Sequence, residues 1–212
     1  LGTFGVWASA RAIGEDNLGR AAALVERLGY GTFWLGGSPR LAQVRSLLET
    51  TEWLTVATGI VNVWTYEAAE LGAEYVALES EFPGRLLVGI GIGHREATSK
   101  YRRPLTTMRE FLDGLDAAPE PLPAERRCLA ALAPQMLGLS KERSRGAIPY
   151  FAPAAHTAAA RAALGPDPLL APEIAVAVTG EKAERQAAVH MYAERHLGLE
   201  NYIRNLLRHG FN

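Results

Sequence analysis

The run "GIGIGH", residues 89–94, places glycines at three alternate positions and closes them with a histidine. Glycine weakens a strand, and where it recurs it marks close approach of a ligand or of another backbone. Gly91 and Gly93 are therefore candidate ligand-contact positions. His94 follows at the strand end, where an imidazole can take or give a proton near neutral pH, and it is the candidate catalytic residue. A second candidate is "LAPQM", residues 132–136, which joins a strand to a helix. The first backbone N–H groups of a helix lack intrahelical acceptors and can hold a phosphate. Ala131, Ala133, Gln135 and Met136 border this junction, and Pro134 removes one donor. A third is "TVATGIVNVWTYE", residues 55–67, where a buried-strand pattern stops at Gly59 and gives way to Asn62, Trp64, Thr65 and Tyr66. The pairs Arg102-Arg103 and Arg126-Arg127 read as solvated charge or, more sharply, as a clasp for an anionic cofactor tail.

These candidates fall at the ends of strands that alternate with helices. Strand patterns appear in "TFGVWA", "TFWL", "LTVATGI", "RLLVGIGIG", "CLAAL", "GAIPYF" and "PEIAVAV". Between them, Leu18, Ala21, Ala22, Val25 and Leu28 recur at helical spacing, as do Leu105, Met108, Leu112 and Leu115. Helices are also expected near Leu41–Glu52, from Ala68 to Phe82, from Pro134, and over "HTAAARAALG". A last helical stretch runs from Glu181 to about Arg208 with a break near Gly198. Such alternation builds parallel βαβ units. Two closures are open to it, a doubly wound sheet and a barrel. No glycine fingerprint of the dinucleotide type leads into a helix, which favours the barrel. Seven strands are one short of eight, so residues 1–212 read as a single α/β domain, a (β/α)8 TIM-type barrel without its last helix and eighth strand. Barrel chemistry collects at the C-terminal ends of the strands. By position alone this adds Trp7, Trp64, Tyr150 and His156 as candidate substrate contacts.

Composition sets outer limits. A net charge of −1 over 212 residues gives no footprint for nucleic acid. No apolar run is long enough to span a membrane, and no secretory leader pattern opens the chain. Cys128 is the single cysteine, which excludes an internal disulfide and fits a cytoplasmic location. It reads as a buried thiol. The five histidines are scattered, and no metal site is expected.

Taken together, "ATGIVNVWTYEAAELGAEYVALESEFPGRLLVGIGIGH", "LAALAPQMLGLSKERSRGAIPYF" with "HT" after it, and "NYIRNLLRHGF" resemble the luciferase-like monooxygenase superfamily, in particular its coenzyme F420-dependent branch. The similarity runs over nearly the whole chain. It implies a (β/α)8 barrel, often dimeric, that binds a flavin or deazaflavin at its C-terminal mouth. It also implies a non-proline cis peptide after strand three, forming a bulge beneath the ring. The matching bond is Gly59–Ile60, and Asn62 would then lie near the ring's polar edge. Where a relative carries a proton-donating glutamate after its strand-four glycines, this chain has His94. Where many relatives have an acid and a histidine after strand two, it has Gly36 and Gly37. The loop after strand five is glycine-rich in relatives and is Ala131-Leu132-Ala133-Pro134 here.

Three functions follow. The first is an F420-dependent oxidoreductase acting on a small organic substrate, with His94 moving a proton and Trp7, Trp34, Trp64 and Tyr150 walling the pocket. The second is an FMN-dependent monooxygenase. The third is a flavin-binding barrel without turnover, or a fragment of an enzyme. A homodimer is expected from the resemblance.

Overall fold

A computed structural model describes residues 1–212. The first strand, β1 (Gly5–Ser9), leads through a short helix, α1 (Ala10–Ile13), into α2 (Leu18–Arg27). The βα alternation then runs β2 (Thr32–Gly36), α3 (Leu41–Glu49), β3 (Thr55–Gly59), β4 (Val61–Asn62), α4 (Ala68–Glu81), β5 (Leu86–Gly91) and α5 (Pro104–Ala117). It continues with β6 (Arg127–Leu129), α6 (Pro134–Arg143), β7 (Gly146–Ala147), α7 (Ala154–Leu164) and β8 (Leu169–Leu170). Two helices, α8 (Lys182–Leu197) and α9 (Glu200–Arg208), complete the chain. Every strand pair is parallel, in the order β1-β2-β3-β5-β6-β7-β8, with β4 continuing the line of β3 beside β5. The sheet curls into an open barrel of seven staves. Its two edges, β1 and β8, are not paired to each other.

Strand period decides which side chains face which way. Val56, Leu86, Val88 and Ile90 turn outward into one large core with Leu41, Val44, Leu47, Leu71 and Met108 from the helices. Ala57, Leu87, Cys128 and Ile148 face the barrel interior and form a second, smaller cluster. Gly89 and Gly91 share that inner parity with Leu87. Cys128 is fully buried, and burial pushes its thiol far up. It is a packing residue, as its apolar surroundings in the sequence indicate.

The end of the barrel opposite the mouth is riveted by two charged side chains. Arg85 donates to the carbonyl oxygens of Leu48, Thr51 and Leu54 and to the Thr51 hydroxyl. Glu26 accepts from the backbone N–H groups of Glu52, Trp53 and Leu54 at 2.7–2.9 Å. The loop before β3 thus has its backbone groups satisfied by α2 and by the start of β5.

The structure corrects one strand. "PEIAVAV" has no ladder beyond its second residue; the seventh stave is Leu169–Leu170. Backbone bonds run from Leu169 to Arg145, Ala171 to Ala147 and Glu173 to Pro149, and then stop. The neighbouring chain turns away at Phe151, whose φ is 48°, and enters α7. Without a partner, the alternating Ile174, Val176 and Val178 lie exposed at 77%, 80% and 96%. The third expected strand is also divided: Gly59 ends β3, and β4 resumes at Val61. The expected break near Gly198 separates α8 from α9. No helix is long and apolar enough to cross a membrane.

Candidate active site

Parallel register fixes the height of the strand ends. Ser9, Gly36 and Gly59 stand level across β1–β3, and Asn62 stands level with Gly91 across β4–β5. These ends form the rim of the barrel mouth, and most of the expected residues collect there. The Gly59–Ile60 peptide is cis. The Trp7 indole N–H donates to the Gly59 carbonyl oxygen at 3.3 Å. The Trp7 and Tyr150 rings lie 5.3 Å apart.

The two glycines at the end of β5 prove to be tied to the segment across from them. A Cβ at Gly91 would come within 2.8 Å of the Ile60 side chain, and one at Gly93 within 2.8 Å of Asn62 Nδ2. Gly93 also holds a φ of +67°, which disfavours a side chain there. With Gly89, whose Cβ would strike the Thr58 carbonyl oxygen, close packing against Thr58, Ile60 and Asn62 accounts for the alternation. Asn62 Oδ1 accepts from the Trp64 backbone N–H, which leaves its amide nitrogen free at the rim. His94 lies one residue past Gly93 and is half-buried.

A second group gathers at the start of α6. Ala131 is buried, Ala133 is the residue before the helix, and Gln135 and Met136 lie in its first turn. Pro134 and the bonded N–H of Leu137 leave the Gln135 and Met136 N–H groups as the free donors. His156, 1% exposed, pairs its Nε2 with the Leu132 carbonyl oxygen at 3.0 Å. Burial lowers its proton affinity, so it is held neutral. Its Nδ1 has no partner, and neither does Nδ2 of the fully buried Asn205. The His156 ring also meets that of His209 at 5.4 Å, edge-on. His156 thus belongs with the α6 junction rather than with Trp7 and Tyr150.

Trp64 is set apart as well. Its indole N–H donates to the Ile92 carbonyl oxygen at 2.7 Å, and its ring faces Tyr101. It borders an outer cleft of about 580 Å³ with Tyr66, Glu67, Glu70, Lys100 and Arg102. Arg40 pairs with Glu70 at 3.3 Å and lies over the Tyr66 ring. Acids and bases there balance, which removes the one-signed field that an anion clasp needs. Arg126 pairs with Glu79 and Arg127 with Asp116, so that pair is structural.

The residues missed in the sequence come from α8 and α9. Tyr202 is buried, with its ring 5.0 Å from His94 and 6.1 Å from Tyr150. His196 stacks on Phe151 at 4.7 Å. Asn201 Oδ1 lies 2.9 Å from His94 Nδ1. Burial raises the phenols of Tyr150 and Tyr202, so both remain neutral hydroxyls at the rim. The available signal was the segment "NYIRNLLRHGF" itself, which places Asn201, Tyr202 and Asn205 on one helical face.

A sequence profile described as luciferase-like monooxygenase matches residues 2–192. No curated protein sequence matches the chain. Among solved structures, an F420-dependent secondary alcohol dehydrogenase, in complex with an F420-acetone adduct, is similar at 15% identity and a TM-score of 0.58, covering 70% of this chain and 58% of that one. The coenzyme F420-dependent tetrahydromethanopterin reductase from Methanopyrus kandleri is similar at 14% identity and 0.61, covering 76% and 59%. Monooxygenase RslO1 from Streptomyces bottropensis is similar at 15% identity and 0.63, covering 87% and 72%. The chain thus spans less than two thirds of the first two.

Proposed function

Because the chain belongs to the luciferase-like monooxygenase family, we propose that it is an F420-dependent oxidoreductase acting on a small organic substrate. One observation carries this reading: Asn62 packs against Gly93, and His94 follows directly, so an amide donor and a proton-transfer group share one stretch of rim. The residues fit the cofactor in two places. Ile60 and Asn62 offer an apolar and a polar contact for a flat ring, with Gly91 and Gly93 giving them room. At the α6 start, the Gln135 and Met136 N–H groups are free donors beside the Leu132 carbonyl oxygen, which accepts from His156 Nε2–H. An oxygen-rich anion would accept from those two helix donors.

When bound, the deazaflavin supplies a two-electron hydride acceptor or donor at C5. The protein's part is to hold and to exclude. Gly59, Ile60, Gly91 and Asn62 set the ring's position, and Ala131, Ala133, Gln135 and Met136 border the place for its phosphate. Trp7 and Tyr150 wall the substrate side against water, and His94 moves the proton that accompanies hydride transfer. His156 is assigned to the phosphate end rather than to substrate, and Trp64 to support of the β5 end.

The second reading is an FMN-dependent monooxygenase: the fold is shared with a monooxygenase, and the flavin and deazaflavin rings are both flat tricycles that the same rim would take. Parallel titrations with F420 and with FMN, followed by ligand absorbance and tryptophan fluorescence, separate the two. Saturable F420 binding with turnover of an alcohol panel supports the proposal. Tight FMN binding without F420 binding reverses it. We further propose a homodimer in the cytoplasm as the working form, to be tested by sedimentation and by fractionation.

A further inference from the structure

The start of α9 is latched onto the loop after β5 by contacts that span more than a hundred residues of sequence. His94 Nδ1 lies 2.9 Å from Asn201 Oδ1. The Glu200 backbone N–H donates to Glu96 Oε1 at 3.0 Å, and Arg95 meets the Glu200 carboxylate at 3.8 Å. The Tyr202 ring closes on His94 from the same turn, tilted by 60°. Asn201, Glu200 and Tyr202 together fix where the imidazole points.

An amide oxygen only accepts hydrogen bonds. Its contact with Nδ1 therefore requires the proton on that nitrogen, and a neutral imidazole then carries its lone pair on Nε2. We propose that Asn201 is a positioning residue that holds His94 in the Nδ1–H tautomer, so that Nε2 is the proton acceptor of the site. This deepens, and rests on, the oxidoreductase reading. A substrate whose reacting carbon bears a hydroxyl would give its O–H proton to that nitrogen. On oxidation the carbon's hydrogen leaves with two electrons as hydride to the deazaflavin. The O–H proton passes to Nε2, and the remaining electron pair forms the carbonyl. His94 becomes an imidazolium whose Nδ1–H stays on Asn201, and it releases the Nε2 proton to solvent. Glu96, Arg95 and Glu200 are the charged groups around it, with the Tyr202 ring against its face.

The first arm of the test needs no cofactor. Two-bond proton–nitrogen NMR of protein labelled with 15N-histidine reads each tautomer directly, in solution alkaline enough for His94 to be neutral. Wild type is expected to show His94 with Nδ1 protonated. Asn201→Leu is expected to shift it toward the Nε2–H form, and Asn201→Asp, which keeps an acceptor oxygen, to restore it. In the loaded enzyme Asn201→Leu should lower kcat about tenfold with little change in KM, and Asn201→Asp should recover most of that. An Nε2–H tautomer in wild type would overturn the proposal. So would a tautomer that ignores Asn201→Leu, or one that moves without any loss of kcat. Because the tautomer is read on cofactor-free protein, its failure is distinct from a failure to bind deazaflavin.

Discussion

The Trp7 indole lies across the end of β2, over Gly36, while its N–H donates to Gly59 on the next strand. A Cβ at Gly36 would run into the six-membered ring of Trp7. The glycine at the end of β2 thus has a local use: it makes room for an aromatic wall. Gly36→Ala should displace Trp7 and destabilise the fold by about 1–3 kcal/mol, the usual range for overpacking. Urea unfolding gives the energy, and near-ultraviolet circular dichroism gives the change in indole environment.

Gly91 keeps Ile60 in place, since a Cβ there would meet both Ile60 Cγ1 and Cδ1 at 2.8 Å. Gly91→Ala should therefore weaken F420 binding about tenfold, or 1.4 kcal/mol, through movement of Ile60. Equilibrium titration measures it, with a thermal melt to show that the fold persists.

Arg85 satisfies three carbonyl oxygens and one hydroxyl at the lower end of the barrel. Arg85→Met keeps much of the packing and removes all four donations. Unpartnered carbonyls in a partly buried site should cost about 2–4 kcal/mol. The unfolding midpoint should fall while the denaturant slope stays constant.

Burial works to raise the Glu26 carboxyl, and three donated N–H bonds outweigh it, so the group is held below its ordinary 4.5. The unfolded chain binds the proton more readily than the folded one. The carboxylate's contribution is therefore complete above pH 4.5 and is lost as pH falls through the lower, folded value. Glu26→Gln should reduce stability at neutral pH and flatten this part of the acid limb. Unfolding curves across that range check both effects.

Much of this architecture was legible because it is local. Helical stripes such as Leu105, Met108, Leu112 and Leu115, and strands such as "RLLVGIGIG", carry their period in consecutive residues. The seventh strand was misplaced because alternation in "PEIAVAV" reports a pattern and not a partner. Its ladder follows β7 only to Glu173. The resemblance located the Gly59–Ile60 bond, whereas composition alone would have left an ordinary strand-end glycine. Asn201 was invisible because its meaning depends on His94, 107 residues away. His156 was grouped with substrate contacts because it follows a strand end, yet α7 carries it under the start of α6 instead.

The most direct test is to map F420 onto the backbone by proton–nitrogen correlation NMR of the labelled protein. The account predicts saturable shifts at Gly59, Ile60, Asn62, Gly91, Gly93 and His94, with a second set at Gln135 and Met136. Shifts confined to the far end of the barrel, around Tyr30 and Trp53, or no shifts at any concentration, would contradict it.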